Sequence, residues 1–301
     1  MHPAPDVAVV IVTHNSAHVV PALLDSLPGA LGDCRAEVVV VDNASTDDTV
    51  EQLERRGDCR VVRSANVGYA AGINRGVREA APAEAILVLN PDVRLSTGCV
   101  PNLVAGLRRP GTGIVAPQVR SADGGLDFTL RREPTVRRAL GLNWTKSPMF
   151  AEHMGKPEEY LHPRTVDWAV GAVLLLSRAC FDAVGGWDES YFLYSEETDF
   201  CLRARDLGYQ TRYQPDATAV HIGGQSGQNR RTHAMQIVNR VRLYRRRHSV
   251  PAAWAYYWAS IASELSWALR GHSHSWHAIL ALLRTDRRPP ELACGDNLLP
   301  V

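Results

Sequence analysis

Two stretches of this chain place carboxylates where chemistry can use them. In "AILVLNPDVRL", residues 85–95, five apolar residues run straight into Asn90-Pro91-Asp92, so a strand that reads as buried ends by pointing a charged side chain outward. In "YSEETDF", Glu196, Glu197 and Asp199 crowd three acids into four residues. Like charges this close oppose full ionisation, so at least one is expected to keep its proton to higher pH, which suits a group that takes a proton from a hydroxyl. The plain alternative is that acids collect at a helix N-terminus because the dipole favours them there.

Such groups need rigid mounts. Short β-branched runs alternate with segments of helical spacing, which predicts parallel β-α-β units: strands at 7–12, 37–41, 60–63 and 85–89, with helices at 18–27, 46–56 and 70–80. The second helix is entered through the capping run "NASTDDT". Strands this apolar are covered on both faces, so only their C-terminal ends can offer chemistry, and ligands of open α/β sheets bind outside those ends. All four ends carry polar motifs: "THNS", "DNAS", "ANVGYAAGIN" and "NPD". Singly, each has a structural reading, with Asp42 entering a helix, Gly68 and Gly72 serving turn and packing, and Asn90-Pro91 stopping a strand. Four at equivalent places point to a ligand site.

Composition narrows the class. The 301 residues are 45 % hydrophobic and 22 % charged, ordinary for a globular chain with ample core. A net charge of +1 argues against nucleic acid as partner. Six scattered cysteines form no Cys-x-x-Cys pair, so a reducing cytosol is the expected location. Asp6 interrupts the N-terminal apolar run, which is read as a strand rather than a signal peptide. No Walker or dinucleotide fingerprint is present.

The spaced series "VVIVTHNS", "VVVVDNASTDDT", "NVGYAAGIN", "LNPD" and "VGGWDESYFLYSEETDFCLRA" resembles family 2 glycosyltransferases of the GT-A fold, most of all the bacterial rhamnosyltransferase-like subgroup, across residues 7–224. The resemblance implies an α/β, Rossmann-like, mostly parallel sheet, a nucleoside-diphosphate sugar donor and inversion at the anomeric carbon. It also implies Mn²⁺ or Mg²⁺. Members carry Asp-x-Asp or a reduced version at the fourth strand end; here Asn90 replaces the first acid, leaving Asp92 for the metal. His221, in "AVHIGG", matches the second metal-contacting position, or is simply a histidine hydrogen-bonded at a strand end. Hard oxygen ligands suit either ion, and an imidazole tilts the choice toward Mn²⁺. Thr13, Asn15 and Asp42 take nucleotide roles by the same resemblance. Asn66, Gly68, Gly72 and Asn74 are expected to border the diphosphate or base. The family's base is the second acid of its Glu-Asp or Glu-Glu pair, which makes Glu197 the expected base, with Glu196 or Asp199 positioning substrate. Trp168 and Trp187 are candidates to stack on an acceptor sugar, or to be core aromatics.

These readings divide the chain into a GT-A domain at 1–228, with the nucleotide-sugar half to about 118 and the acceptor half after it, a helical extension at 229–286 and a loose tail at 287–301. In the extension, Trp254, Trp258, Ile261 and Leu265 recur at helical spacing beside Arg242, Arg245, Arg246 and Arg247. That pattern fits a helix lying on the cytoplasmic membrane face, or one packing on the domain or in a homodimer. The acceptor is expected to be a saccharide, free or lipid-linked. The competing functions are a sugar nucleotidyltransferase, which would want a basic phosphate-gripping loop near the N-terminus, and a catalytically silent nucleotide-sugar-binding protein.

Overall fold

The first strand, Val7–Thr13 (β1), is buried along its whole length. It pairs in parallel with Ala36–Asn43 (β2) on one side and Ala85–Leu89 (β4) on the other. Arg60–Ser64 (β3) extends the sheet beyond β2. The strand period of two sorts the side chains of β1: Val7, Val9 and Ile11 join the core under helix Val20–Leu31 (α1), while Val10 and Val12 meet helix Tyr69–Glu79 (α3) on the other face. Helix Thr49–Arg56 (α2) connects β2 to β3. This computed structural model describes residues 5–223, 229–292 and 298.

After β4 the chain turns back through Asn90-Pro91-Asp92 into Val93–Leu95 (β5), then runs through Cys99–Leu107 (α4) to Thr112–Ser121 (β6). The small strands Leu126–Asp127 (β7) and Arg164–Val166 (β9) edge the sheet, and Leu130–Arg131 (β8) pairs with Trp168–Ala169 (β10) beside the short helix Val136–Ala139 (α5). Val173–Ser177 (β11) inserts antiparallel between β4 and β6. Helices Arg178–Val184 (α6) and Glu196–Asp206 (α7) follow, and Gln210–His221 (β12) lies parallel to β6 and antiparallel to β5. The sheet order is β3-β2-β1-β4-β11-β6-β12-β5. The expected mixed α/β fold with a mostly parallel sheet is therefore found. Because β1 to β4, β6 and β12 share one direction, Thr13, Asn43, Leu89 and His221 all finish at one edge.

Close approach of α3 to β1 explains two glycines. A Cβ at Gly72 would stand 2.8 Å from Val12 Cγ1, and one at Gly76 would overlap Val10. Gly72 thus serves packing.

The extension folds as Arg230–Arg247 (α8), Val250–Leu269 (α9) and Ser273–Leu283 (α10). Val238 and Val241 of α8 bury against Tyr256, Tyr257 and Leu282, with Phe192, Leu193 and Tyr194 of the catalytic half packed on the same cluster. The basic run expected at a membrane is mostly committed within the protein: Arg242 is buried, while Arg246 pairs with Asp188 and Arg247 with Asp206. The expected loose tail is docked where it is described, since Leu292 and Leu298 are buried in the extension's core. Residues 224–228, which close the expected GT-A segment, and 293–297 and 299–301 of the tail lie outside the described residues.

Candidate active site

Thr13, Asn15, Asn66, Gly68, Asn90 and Asp92 line one cavity of about 420 Å³ at the carboxyl edge of the sheet. Asn15, with φ of 52°, spans the ends of the first two strands: its Oδ1 accepts from the Thr46 N–H at 2.8 Å, and its N–H donates to Ser45 Oγ at 2.8 Å. Asp42 is buried behind this wall. Its Oδ1 accepts from Thr13 Oγ1 at 3.0 Å and its Oδ2 from the Ser45 N–H at 2.9 Å, so it braces the cavity instead of lining it. Gly68 lines the cavity, yet its conformation answers a different need. With φ of 104°, it lies so near Phe192 that a Cβ would fall 2.6 Å from that residue's carbonyl oxygen.

The reversal from β4 to β5 brings Asp92 and His221 together. Val93 is paired with His221, and His221 Nε2 lies 3.2 Å from Asp92 Oδ2. The hydrogen bond to Asp92 raises the His221 pKa above the ordinary imidazole value, against the opposing effect of burial. A carboxylate and an imidazole at one strand edge form a donor pair that a divalent cation can use. Among the described residues no third His, Cys, Asp or Glu completes a cluster, so diphosphate oxygens and water would fill the remaining positions, the habit of Mg²⁺ and Mn²⁺ at phosphate sites. The residues fit such an ion.

The acidic pair is delivered by a strained turn. Tyr194 and Ser195 have φ of 69° and 77°, two consecutive side-chain-bearing residues in the left-handed region, and α7 starts immediately after them. Asn239 of α8 holds this turn, donating to the carbonyls of Leu193 at 2.9 Å and Tyr194 at 3.1 Å. Arg242 in turn donates to Ser190 O at 3.1 Å and Asn239 Oδ1 at 3.0 Å. Glu197 then comes to rest beside Gly171, where an added Cβ would stand 3.4 Å from its own. The neighbouring Ala172 carbonyl accepts from the Asn90 N–H at 2.9 Å, so Glu197 and the Asn90-Pro91-Asp92 turn share one edge.

Burial raises the pKa of both acids, with the charge of Glu197 adding to the effect on Glu196. Backbone N–H groups, Gly171 among them, and Arg131 pull Glu197 partly back. Oε2 of each is buried with no hydrogen-bond partner among the described residues. Tyr69 binds the arrangement together. Its hydroxyl donates to Asn90 Oδ1 at 2.7 Å, and its pKa is pushed up first by burial, then by the charges of Glu196, Glu197 and Asp92.

Glu197 also lines a second cavity of about 510 Å³, with Arg131, Trp168, Gln236 and Arg240. Trp168 presents its ring there, anchored by an Nε1 hydrogen bond to Arg132 O at 3.1 Å. Three expected site residues turn elsewhere. Trp187 is core, stacked on Phe200 with ring centroids 5.2 Å apart. Asn74 spends its amide on the Trp187 backbone, donating to O at 2.8 Å and accepting from N at 2.9 Å, and so clamps the two halves. Asp199 forms a 2.6 Å ion pair with Arg203, which holds the carbonyls of Val184 and Gly186, and neither cavity includes it. Conversely, Tyr69, Asn239 and Arg131 escaped sequence reasoning. Only Tyr69 carried a signal, lying inside "NVGYAAGIN".

Residues 8–162 match the family model described as Glycosyl transferase family 2. An N-acetylglucosaminyl-diphospho-decaprenol L-rhamnosyltransferase of Mycobacterium tuberculosis is 31% identical over 204 residues, covering 61% of this chain and 66% of the relative, just under two thirds of its length. Rhamnosyltransferase WbbL of Escherichia coli is 25% identical over 228 residues, covering 71% and 83%. The fold is shared with a mannosyltransferase of Pyrobaculum calidifontis solved with GDP-Man and Mn²⁺, at a TM-score of 0.58 and 18% identity, covering 97% of this chain and 83% of that one.

Proposed function

Because the chain belongs to glycosyl transferase family 2, we propose that it is an inverting glycosyltransferase of GT-A fold that moves a sugar from a nucleoside diphosphate to an acceptor hydroxyl. The observation that carries this reading is a geometric one: Asp92, paired with His221, lines one cavity at the carboxyl edge of the sheet, and Glu197 lines a second, the two linked through the Asn90 N–H bond to the Ala172 carbonyl beside Gly171.

Thr13, Asn15, Asn66 and Asn90 take the nucleoside diphosphate, and Asp92 with His221 would hold Mn²⁺ or Mg²⁺. The ion, when bound, supplies positive charge that stabilises the departing diphosphate. Glu197 removes the acceptor's proton as the hydroxyl attacks the anomeric carbon from the face opposite the leaving group, and Trp168 supports the acceptor sugar. Glu196, more deeply buried, keeps its proton longer and so limits repulsion around Glu197. The rhamnosyltransferases among the relatives favour dTDP-rhamnose as donor and a saccharide, free or lipid-linked, as acceptor.

Thermal unfolding with a panel of nucleoside diphosphates and their sugars, with and without Mn²⁺, tests the reading, because binding to the folded state alone raises the midpoint. One nucleotide series should shift the midpoint, and more so with Mn²⁺. No shift with any member would overturn it.

A further inference from the structure

Helices α9 and α10 pack on α8 through one side and leave the other to solvent, and that outer side carries no charge. On α9, Trp254, Trp258, Leu265 and Leu269 form an exposed stripe in which Leu269 is 74 % accessible, while the helix's one charged residue, Glu264, is buried on His233. Trp276, Leu280 and Leu283 repeat the pattern on α10. Of the chain's seven tryptophans, Trp254, Trp258 and Trp276 stand exposed on this face, whereas Trp168 and Trp187 are buried. Scattered apolar residues are ordinary on a protein surface, but a run this long without a charge marks a contact face.

Its surroundings indicate what it contacts. Between residues 248 and 290 the exposed charges are Arg270, Arg284 and Arg287 against the single acid Asp286, which pairs with Arg284 and Arg287, since Arg288 and Glu264 are buried. The rim is therefore net cationic. A second copy laid face to face would set that rim against itself, whereas an anionic lipid leaflet would neutralise it. Exposed indoles suit the same partner, since their amphipathic rings settle at headgroup depth. Among the described residues no helix is long and apolar enough to cross a membrane, so the contact would lie along the surface.

We propose that the α9–α10 face docks on an anionic lipid leaflet. The face also adjoins the acceptor side. The cavity of Glu197 shares Asn143, Gln236 and Arg240 with a smaller one, which shares His233, Glu264 and Trp267 with a third beside His272. A polar run thus leads from the base to the edge of the docking face. Of the four arginines expected from sequence to make this contact, Arg242, Arg245, Arg246 and Arg247, three are committed within the protein: Arg242 is buried, Arg246 pairs with Asp188 and Arg247 with Asp206.

The test needs no substrate. Full-length protein is sedimented with vesicles of phosphatidylcholine containing 30 mol % phosphatidylglycerol, and with pure phosphatidylcholine, beside a variant carrying Trp254→Ser, Trp258→Ser and Trp276→Ser. We expect association with the anionic vesicles, at least tenfold weaker on pure phosphatidylcholine and at least tenfold weaker in the variant, whose unfolding midpoint stays near wild type. Absence of association, equal association with both vesicles, or undiminished association of the variant overturns the proposal. So does a wild-type dimer in sedimentation equilibrium that the variant dissociates, which would assign the face to a second copy. Each outcome is independent of nucleotide binding, so failure here leaves the sugar-transfer reading standing.

Discussion

Asp92 and Glu197 are both carboxylates at one sheet edge, and their surroundings give them different work. Asp92 keeps a histidine at 3.2 Å and faces the nucleotide cavity. Asp92→Ala should therefore remove the Mn²⁺-dependent part of nucleoside-diphosphate binding while the protein stays folded, as calorimetric titration with Mn²⁺ or EDTA will read out. Glu197 has a buried oxygen with no partner, and burial holds its pKa above the ordinary glutamate value. A base works only when deprotonated, so turnover should fall with acidification at a pH above that at which a free glutamate titrates; an acid limb at the ordinary value would contradict its burial. The same shift bears on stability. Glu196 and Glu197 have folded pKa values above the usual 4.5. The stability they contribute is full below that value and is lost as pH rises through the folded values. Glu196→Gln should then raise the unfolding midpoint over wild type at pH 8 by more than at pH 5, and a gain independent of pH would show that Glu196 ionises normally.

At the scale of elements, what the sequence could reveal depended on how local each cause was. Strand 85–89 was placed to the residue because its apolar run is bounded by its own turn. Helix α2 begins at Thr49 rather than 46 because Ser45 and Thr46 are bonded to Asp42 and Asn15, a use of capping residues that spacing does not show. Pro21, in the first turn, sets the start of α1 at Val20 rather than 18. Asn74 lay inside a motif, yet its partner Trp187 is 113 residues away, and no local pattern announces such a clamp. The same holds for Asn239 and the strained turn it restrains. Asn239→Ala removes the donor from two half-buried carbonyls and should destabilise the fold by about 1 kcal/mol. It should also lower turnover more than nucleotide binding, since the turn delivers Glu197. Denaturant titration with parallel binding and turnover measurements will separate these effects; unchanged turnover would mean the turn holds itself.

As a whole molecule, the protein is an α/β sheet whose acidic turn is locked from behind by the helical extension. The apolar spacing of α9 was legible, but which face turned outward was not, because that depends on α8 and α10 packing against Tyr256 and Tyr257. Truncation after Tyr244 would strip Tyr256, Tyr257 and Leu282 from Val238 and Val241, so the shortened chain should lose its cooperative unfolding transition instead of surviving as a nucleotide-binding domain. The central claim, an edge where Asp92 serves the leaving diphosphate and Glu197 the attacking oxygen, is tested most directly by nucleoside-diphosphate release from nucleotide sugars, dTDP-rhamnose first, in the presence of Mn²⁺. Wild type should release it, Asp92→Ala should lose release together with Mn²⁺-dependent binding, and Glu197→Gln should keep binding while release falls by roughly 10²–10⁴-fold. Wild-type release by Glu197→Gln, or a greater loss in Glu196→Gln with binding intact, would contradict the assignment.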